Sequence, residues 1–191
     1  FARILRAFLR QDPDRIMVGE TRDLETAQIS IQASLTGHLV FTTLHTNNAA
    51  SSLPRLIDMG VEPFLLASTI DTIISQRLVR MLCNECKEAY SPTSEMRESI
   101  GVTVPEDAVF FMAKGCKECN DTGYRGRTII YEIMKMNESL RKLILTKSGS
   151  DTLADAARKG GMEPMYEIGI KKVILGLTSL EEVISTTRTA Y

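Results

Sequence analysis

Three groups of residues in this 191-residue chain have the types and spacing that chemistry needs. In the first, the apolar trio Ile16-Met17-Val18 runs straight into Gly19 and Glu20. A carboxylate just past a buried strand's C-terminal end stands where open α/β sheets hold their ligands, and it can orient or deprotonate a water there. In the second, His45 follows the stretch His38-Leu39-Val40-Phe41-Thr42-Thr43-Leu44, and both histidines of the chain fall in this one segment. A histidine beside a strand is a hydrogen-bonded structural residue or a proton carrier, and the residue types alone leave both open. In the third, Cys83-Asn84-Glu85-Cys86 and Cys116-Lys117-Glu118-Cys119 are separated by 29 residues, with no cysteine left over. Paired C-x-x-C turns, each giving two thiolates, have the spacing of a tetrahedral structural zinc site. Reduced packing cysteines and disulfides are the alternatives, and clustering in pairs argues against scattered packing.

Each group needs elements to position it. Ile16 to Val18 are too few and too uninterrupted for an amphipathic helix, and Pro13 closes whatever helix precedes them, so they predict a buried central strand. Asp23 is placed to cap a helix through Leu24, Ala27, Ile31 and Leu35, with Gly37 ending it. His38 to Leu44 predicts the next strand, with His38 at its start and His45 past its end. Asn47 is the expected cap of a following helix, in which Pro54 predicts a kink or a restart. This alternation is the parallel α/β pattern. Glu62-Pro63 then predicts the longest helix, through Phe64, Ile70, Ile73, Ile74 and Leu78, with Arg77 and Arg80 near its end to suit the helix dipole. The stretch from Ser91 to Pro105 is polar and rich in breakers, followed by a brief apolar run from Val109 to Met112. It reads as an insert without a core of its own, for which a four-coordinate ion substitutes. Ile129 to Ile133 predicts a strand. Ser139 to Leu145, Thr152 to Ala157, Met165 to Leu175 and Leu180 to Ile184 predict short packed helices, and Thr178-Ser179-Leu180-Glu181 has the form of a capping box.

The composition is that of a globular chain, 43% apolar with a formal charge of −1. So balanced a charge gathers neither nucleic acid nor anionic lipid. From Arg77 to Arg127 eight basic residues meet eight acidic ones, against a nucleic-acid-binding zinc ribbon. No apolar run approaches the roughly 20 residues of a membrane span, and there is no secretory signal. Phe1, Ile4, Leu5, Phe8 and Leu9 open the chain already in helical register with no cap before them, as expected of a piece of a longer protein.

As a string, Leu9-Arg10, Pro13-Asp14, the apolar trio, Gly19-Glu20 and Arg22-Asp23 resemble the signature segment of the secretion ATPases that drive type II secretion and type IV pilus assembly. Thr21 departs, standing where that family usually has an aliphatic residue. Thr36 to Thr46 resembles the family's histidine box, Ser75-Gln76-Arg77-Leu78 recurs in it, and the cysteine pairs with Gly115 and Thr122-Gly123-Tyr124-Arg125-Gly126-Arg127 resemble its tetracysteine insert. The match thins after residue 150, where Met162-Glu163-Pro164-Met165 replaces a Met-x-x-Leu entry.

The resemblance implies an α/β fold. Residues 1–80 would form the second half of a RecA-like P-loop NTPase core, 81–127 a tetracysteine zinc subdomain, and 128–191 a strand plus helical region. It implies ATP hydrolysis with Mg2+ in a cytoplasmic homo-hexamer, peripheral to the inner membrane, that drives pilin or pseudopilin assembly through an inner-membrane platform protein, without nucleic acid. Glu20 would then be the Walker B carboxylate and His45 would face the γ-phosphate. Gly19, Arg22, Asp23 and Arg77 would support the site, and Cys83, Cys86, Cys116 and Cys119 would bind structural Zn2+, since a cytosolic ATPase would not keep disulfides. No G-x-x-x-x-G-K-[ST] phosphate loop is present, so the chain is expected to carry half an active site and to be inactive alone. The motifs do not separate the two systems, although the insert leans away from retraction motors. A zinc-ribbon docking module without catalysis is the rival reading.

Overall fold

The computed structural model describes residues 2–187, so Phe1, the first residue of the opening apolar pattern, lies outside the described residues. The elements in order are α1 (Ala2–Phe8), β1 (Arg15–Val18), α2 (Leu24–Leu35), β2 (Leu39–Thr42), α3 (Ser52–Asp58), α4 (Pro63–Thr69), β3 (Thr72–Leu82), β4 (Glu88–Tyr90), α5 (Ser94–Ile100), β5 (Phe110–Met112), β6 (Tyr124–Lys135), α6 (Glu138–Leu145), α7 (Ser150–Lys159), α8 (Met165–Ile174) and α9 (Leu180–Thr187). Two compact units result, one from Phe1–Ile74 with Ile133–Met162 and one from Ser75–Glu132 with Glu163–Tyr191. The chain passes from the first to the second within β3 and returns within β6.

In the first unit β1 and β2 pair in parallel, Ile16 opposite Val40 and Val18 opposite Thr42, which brings both C-terminal ends to one edge. Ile16 and Val18 are buried with Leu5, Ile29 and Ala33. Met17, between them, is 68% exposed. The trio is therefore buried on one face only, because strand alternation sends its middle residue to the other side. Asp23 caps α2 as expected, accepting from the Thr26 amide at 2.7 Å, and Gly37 follows the helix with φ +99°. Asn47 caps nothing: the next helix starts at Ser52, and it is Asn48 whose side chain accepts from the Ser51 amide, at 2.8 Å. Pro54 consequently lies in the first turn of α3, where a missing N–H costs no helical bond. A second core gathers Ala27, Leu53, Leu66, Leu140, Ile144 and Leu153 from α2, α3, α4, α6 and α7.

The long helix expected from Pro63 through Leu78 ends at Thr69, and Thr72 onward is β3, paired with β6. Ile70, Ile73, Ile74 and Leu78 do fit a helical spacing, but the β-branched cluster Ile70, Thr72, Ile73 and Ile74 favours extended backbone. Burial follows a period of two: Ser75 and Val79 are buried, with Ile73, Arg77 and Met81 half-buried in the same register. Arg77 and Arg80 therefore sit on a strand, and their helix-dipole role falls away.

In the second unit β4 and β5 pair antiparallel, with Tyr90 opposite Phe110. Ile100, Ala108 and Phe110 of the insert are buried against Ile170 and Val173 of α8 and Leu180 and Val183 of α9. The insert thus shares a core supplied from later in the chain. Tyr166 of α8 donates its hydroxyl to the Ile100 carbonyl at 3.0 Å. The two helices approach so closely that a Cβ built on Gly169 would lie 2.4 Å from Val183 Cγ1. The cap of α9 is shifted by one residue from the expected box: Ser179 Oγ accepts from the Glu182 amide at 3.2 Å, while Thr178 Oγ1 donates to the Arg80 carbonyl at 2.8 Å. Glu182 is turned instead to Arg80, accepting from its backbone amide and Nε at 2.9 Å each and from Nη2 at 2.5 Å. Burial pushes the Glu182 carboxyl up, and the bonds from Arg80 bring it below its ordinary value.

Candidate functional site

Two of the residues singled out by their chemistry meet at the C-terminal edge of the parallel pair. Arg22 Nε lies 2.6 Å from Glu20 Oε2, and His45 Nε2 lies 3.2 Å from the same oxygen. The Glu20 side chain is 22% exposed, that of His45 83%. The hydrogen bond from Arg22, which outweighs the opposing desolvation and is joined by the bond to His45, holds the Glu20 carboxyl below its ordinary value. It is a carboxylate at neutral pH. Both contacts fall on Oε2, and Oε1 has no protein partner among the described residues. A carboxylate held by one oxygen with the other turned free is suited to accept a proton from, or orient, a water.

The turn carrying Glu20 is fastened to the end of β2. Thr43 Oγ1 donates to the Gly19 carbonyl at 2.6 Å, and the Thr21 amide donates to the Thr43 carbonyl at 2.9 Å. Thr21, 5% exposed, shares a 2.8 Å hydroxyl contact with Thr42. Sequence reasoning passed over Thr42 and Thr43, and noted Thr21 only as a departure from an aliphatic position. That departure was the available signal, since a buried hydroxyl needs a partner. Asp23 braces the start of α2, and its carboxyl is lowered by the backbone bond from Thr26. His38 lies at the opposite strand end with Nδ1 2.9 Å from the Ala33 carbonyl, a structural contact at the close of α2. The Arg77 side chain, in the second unit's part of β3, makes no hydrogen bond or ion pair among the described residues.

The second unit brings the four cysteines together. Their sulfurs all lie within 4.8 Å of one another, with Cys83–Cys116 at 3.9 Å, Cys86–Cys119 at 3.8 Å and Cys116–Cys119 at 3.7 Å. These are not disulfides, whose sulfurs stand about 2.05 Å apart. They match the edges, about 3.8 Å, of a tetrahedron with metal–sulfur arms of about 2.3 Å, so the donors fit a four-coordinate ion. The knuckle turns demand glycine at two points. Gly115 has φ +107° and its Cβ would fall 2.7 Å from the Asp121 carbonyl oxygen, while Gly123 has φ +74° and its Cβ would fall 2.6 Å from Ala113 Cβ. Cys119 Sγ accepts from the Gly123 amide at 3.1 Å and from the Cys116 amide at 3.2 Å. Burial pushes the Cys86 thiol up to about 12 and that of Cys116 upward too. Cys119, on which burial acts in the same sense, is brought down to about 6 by those two amides. A divalent cation among the sulfurs favours the thiolate of each.

Among known proteins, a family model described as "Type II/IV secretion system protein" matches residues 1–185. The chain is 49% identical over 188 residues to the type II secretion system ATPase E of Vibrio cholerae, an alignment that covers 98% of this chain and 37% of that protein. It is 46% identical over 189 residues to the type IV pilus assembly ATPase PilB of Thermus thermophilus, covering 98% of this chain and 21% of the relative. The chain thus spans well under half the length of these curated relatives. Among solved structures, the Legionella pneumophila ATPase DotB superposes with a TM-score of 0.66 at 24% identity, over 100% of this chain and 43% of that one, which is a likeness of fold.

Proposed function

This chain belongs to the type II/IV secretion system protein family, and from that premise we propose that it is the Walker B and histidine-box part of an ATP-hydrolysing motor. The observation that carries the reading is the meeting of Glu20 and His45 on one pinned edge, with the carboxylate held ionised by Arg22. In this reading Glu20 Oε1 orients the attacking water, and His45 lies toward the γ-phosphate. Arg22 fixes Oε2, while Gly19 and Asp23 shape the turn and start α2. Mg2+ arriving with ATP would neutralise phosphate charge, and the carboxylate of Glu20 is the group suited to face it. The phosphate-binding loop would come from elsewhere in the parent protein, so this chain alone should not turn over ATP.

In the same proposal residues 1–80 are the second half of a RecA-like core, 81–127 a tetracysteine subdomain and 128–191 a strand with a helical region. Cys83, Cys86, Cys116 and Cys119 hold one structural Zn2+, with no open position for a reacting water. The parent works as a cytoplasmic homo-hexamer at the inner membrane, coupling hydrolysis to pilin or pseudopilin assembly through a platform protein. Among the described residues no helix is long and apolar enough to cross a membrane. The test is the full-length protein carrying Glu20→Gln. It should bind ATP as the parent does and lose about a hundredfold or more in turnover, since the amide keeps the shape and removes the base. Parental turnover in the variant would take Glu20 out of the site, and absence of hydrolysis in the unaltered full-length protein would leave a docking module.

A further inference from the structure

We infer that Thr43, with Thr21 and Thr42, is a positioning device for the reaction: a hydroxyl latch that fixes the Glu20 carboxylate relative to His45. The inference rests on the proposed role of Glu20 and adds residues to it. Glu20 is the middle residue of the tripeptide Gly19-Glu20-Thr21, and both of its neighbours are tied to Thr43 in the segment that follows β2, Thr21 to Thr42 as well. On one side the Gly19 carbonyl accepts Thr43 Oγ1 at 2.6 Å. On the other the Thr21 amide reaches the Thr43 carbonyl at 2.9 Å, and the Thr21 and Thr42 hydroxyls meet at 2.8 Å. Thr43 stands two positions before His45, whose Nε2 is 3.2 Å from Glu20 Oε2. One residue therefore sets both the peptide plane from which the carboxylate springs and the backbone from which the imidazole springs.

The ladder explains why a latch is needed. The register of β1 with β2 runs from Arg15 opposite Leu39 to Val18 opposite Thr42 and stops there. Beyond it, the chain carrying Glu20 leaves the sheet toward α2, and the chain carrying His45 leaves it toward α3. Past the last rung, the amide of Thr21 and the hydroxyls of Thr43 and Thr21 do what ladder bonds would otherwise do. Because His45 and Arg22 are exposed, at 83% and 72%, their side chains hold Oε2 by hydrogen bonds alone and not by packing, so the backbone must supply the remaining constraint on its position. Burial is concentrated at Thr21, at 5% exposure, and an aliphatic residue there would keep the packing and lose the hydroxyl pair.

The experiment uses the full-length protein, with steady-state ATP hydrolysis and amide exchange read side by side. Thr43→Val keeps the branched shape and removes Oγ1, and it should lower kcat about tenfold with the KM for ATP unchanged within about twofold, as expected of a loss in alignment rather than in binding. Thr43→Ser, which retains the oxygen, should recover turnover to within about twofold of the parent. Thr21→Val should cost about threefold, since the amide bond to Thr43 survives. In a Glu20→Gln background Thr43→Val should produce no further loss, because its effect passes through that carboxylate. Exchange of the amides of residues 20–22 should quicken in Thr43→Val and remain at the parental rate in Thr43→Ser. Unchanged kcat in Thr43→Val, failure of Thr43→Ser to recover, or a full additional loss on top of Glu20→Gln would each overturn the inference. If Glu20→Gln alone left turnover intact, the function proposed above would fail by itself, and the exchange measurement would still decide whether the latch holds the turn.

Discussion

The edge that carries Glu20 and His45 and the cluster of four cysteines locate their reactive atoms by different means. At the edge the side chains are exposed, His45 at 83%, and what is fixed is the backbone beneath them, pinned by Thr43 and Thr21 after the strand ladder ends. In the cluster the side chains converge to within 4.8 Å, and the backbone that carries them is contorted, with positive φ at Gly115, Asn120, Asp121 and Gly123. The first arrangement leaves an ionised carboxylate with an open oxygen, ready for something that comes and goes. The second turns every donor inward and leaves no oxygen or sulfur for a transient partner. The two sites are thereby distinguished by where their precision resides.

The largest effect should come from taking a metal out of the cluster. Full-length protein purified without chelator should contain one Zn2+ per chain by elemental analysis. A strong chelator or acidification should release it, since protons compete for the thiolates. Limited proteolysis should then cut first between residues 91 and 105, and amides of α8 and α9 should exchange faster, because Ile170, Val173, Leu180 and Val183 share their core with Ile100 and Phe110. Protection at residues 19–23 should be unchanged. A metal content near zero would dissolve the contrast, leaving the cysteines as packing residues.

A smaller effect separates the metal's share of that unit's stability from the share of its ion pair. Glu182→Ala leaves Arg80 without its carboxylate and should lower stability by about 2 kcal/mol in denaturant titration, less than a fully buried pair would cost because Arg80 is half exposed. The Glu182 carboxyl is depressed on folding, so its contribution is present above the unfolded carboxyl value and is lost as pH falls through the folded one. The gap between parent and variant should therefore close as the pH drops below about 4. A gap independent of pH would assign the loss to packing. Smallest is His45→Ala, expected to lower turnover of the full-length protein about tenfold while nucleotide binding and assembly persist. Equal turnover would place His45 with His38 as a structural histidine.

Much of the edge was legible because its signals are local. Asp23 caps the helix three residues on, Gly37 closes it, and a strand that begins near His38 must end before His45. The cysteines were legible through spacing alone. What escaped reading was governed by distance along the chain or by competing periods. Ile70, Ile73, Ile74 and Leu78 satisfy a helical spacing by coincidence, and the β-branched cluster from Ile70 to Ile74 together with the pairing of β3 with β6 decides for a strand. The core of the insert was hidden because its partners lie near residues 170 and 183. Thr43 escaped because a hydroxyl bonded to a carbonyl leaves no periodic trace.

The contact between Gly169 and Val183 has a consequence for which changes the protein can accept. A methyl at position 169 would sit 2.4 Å from Val183 Cγ1, well inside any allowed separation, so the two positions do not vary freely. Their tolerances are joint: the largest side chain allowed at one is set by the other. Since Val183 also belongs to the core that receives Phe110 and Ile100, the identity of a helix residue far along the chain limits the volume open to the insert, and a history of substitutions in this region should read as paired exchanges of size between α8 and α9.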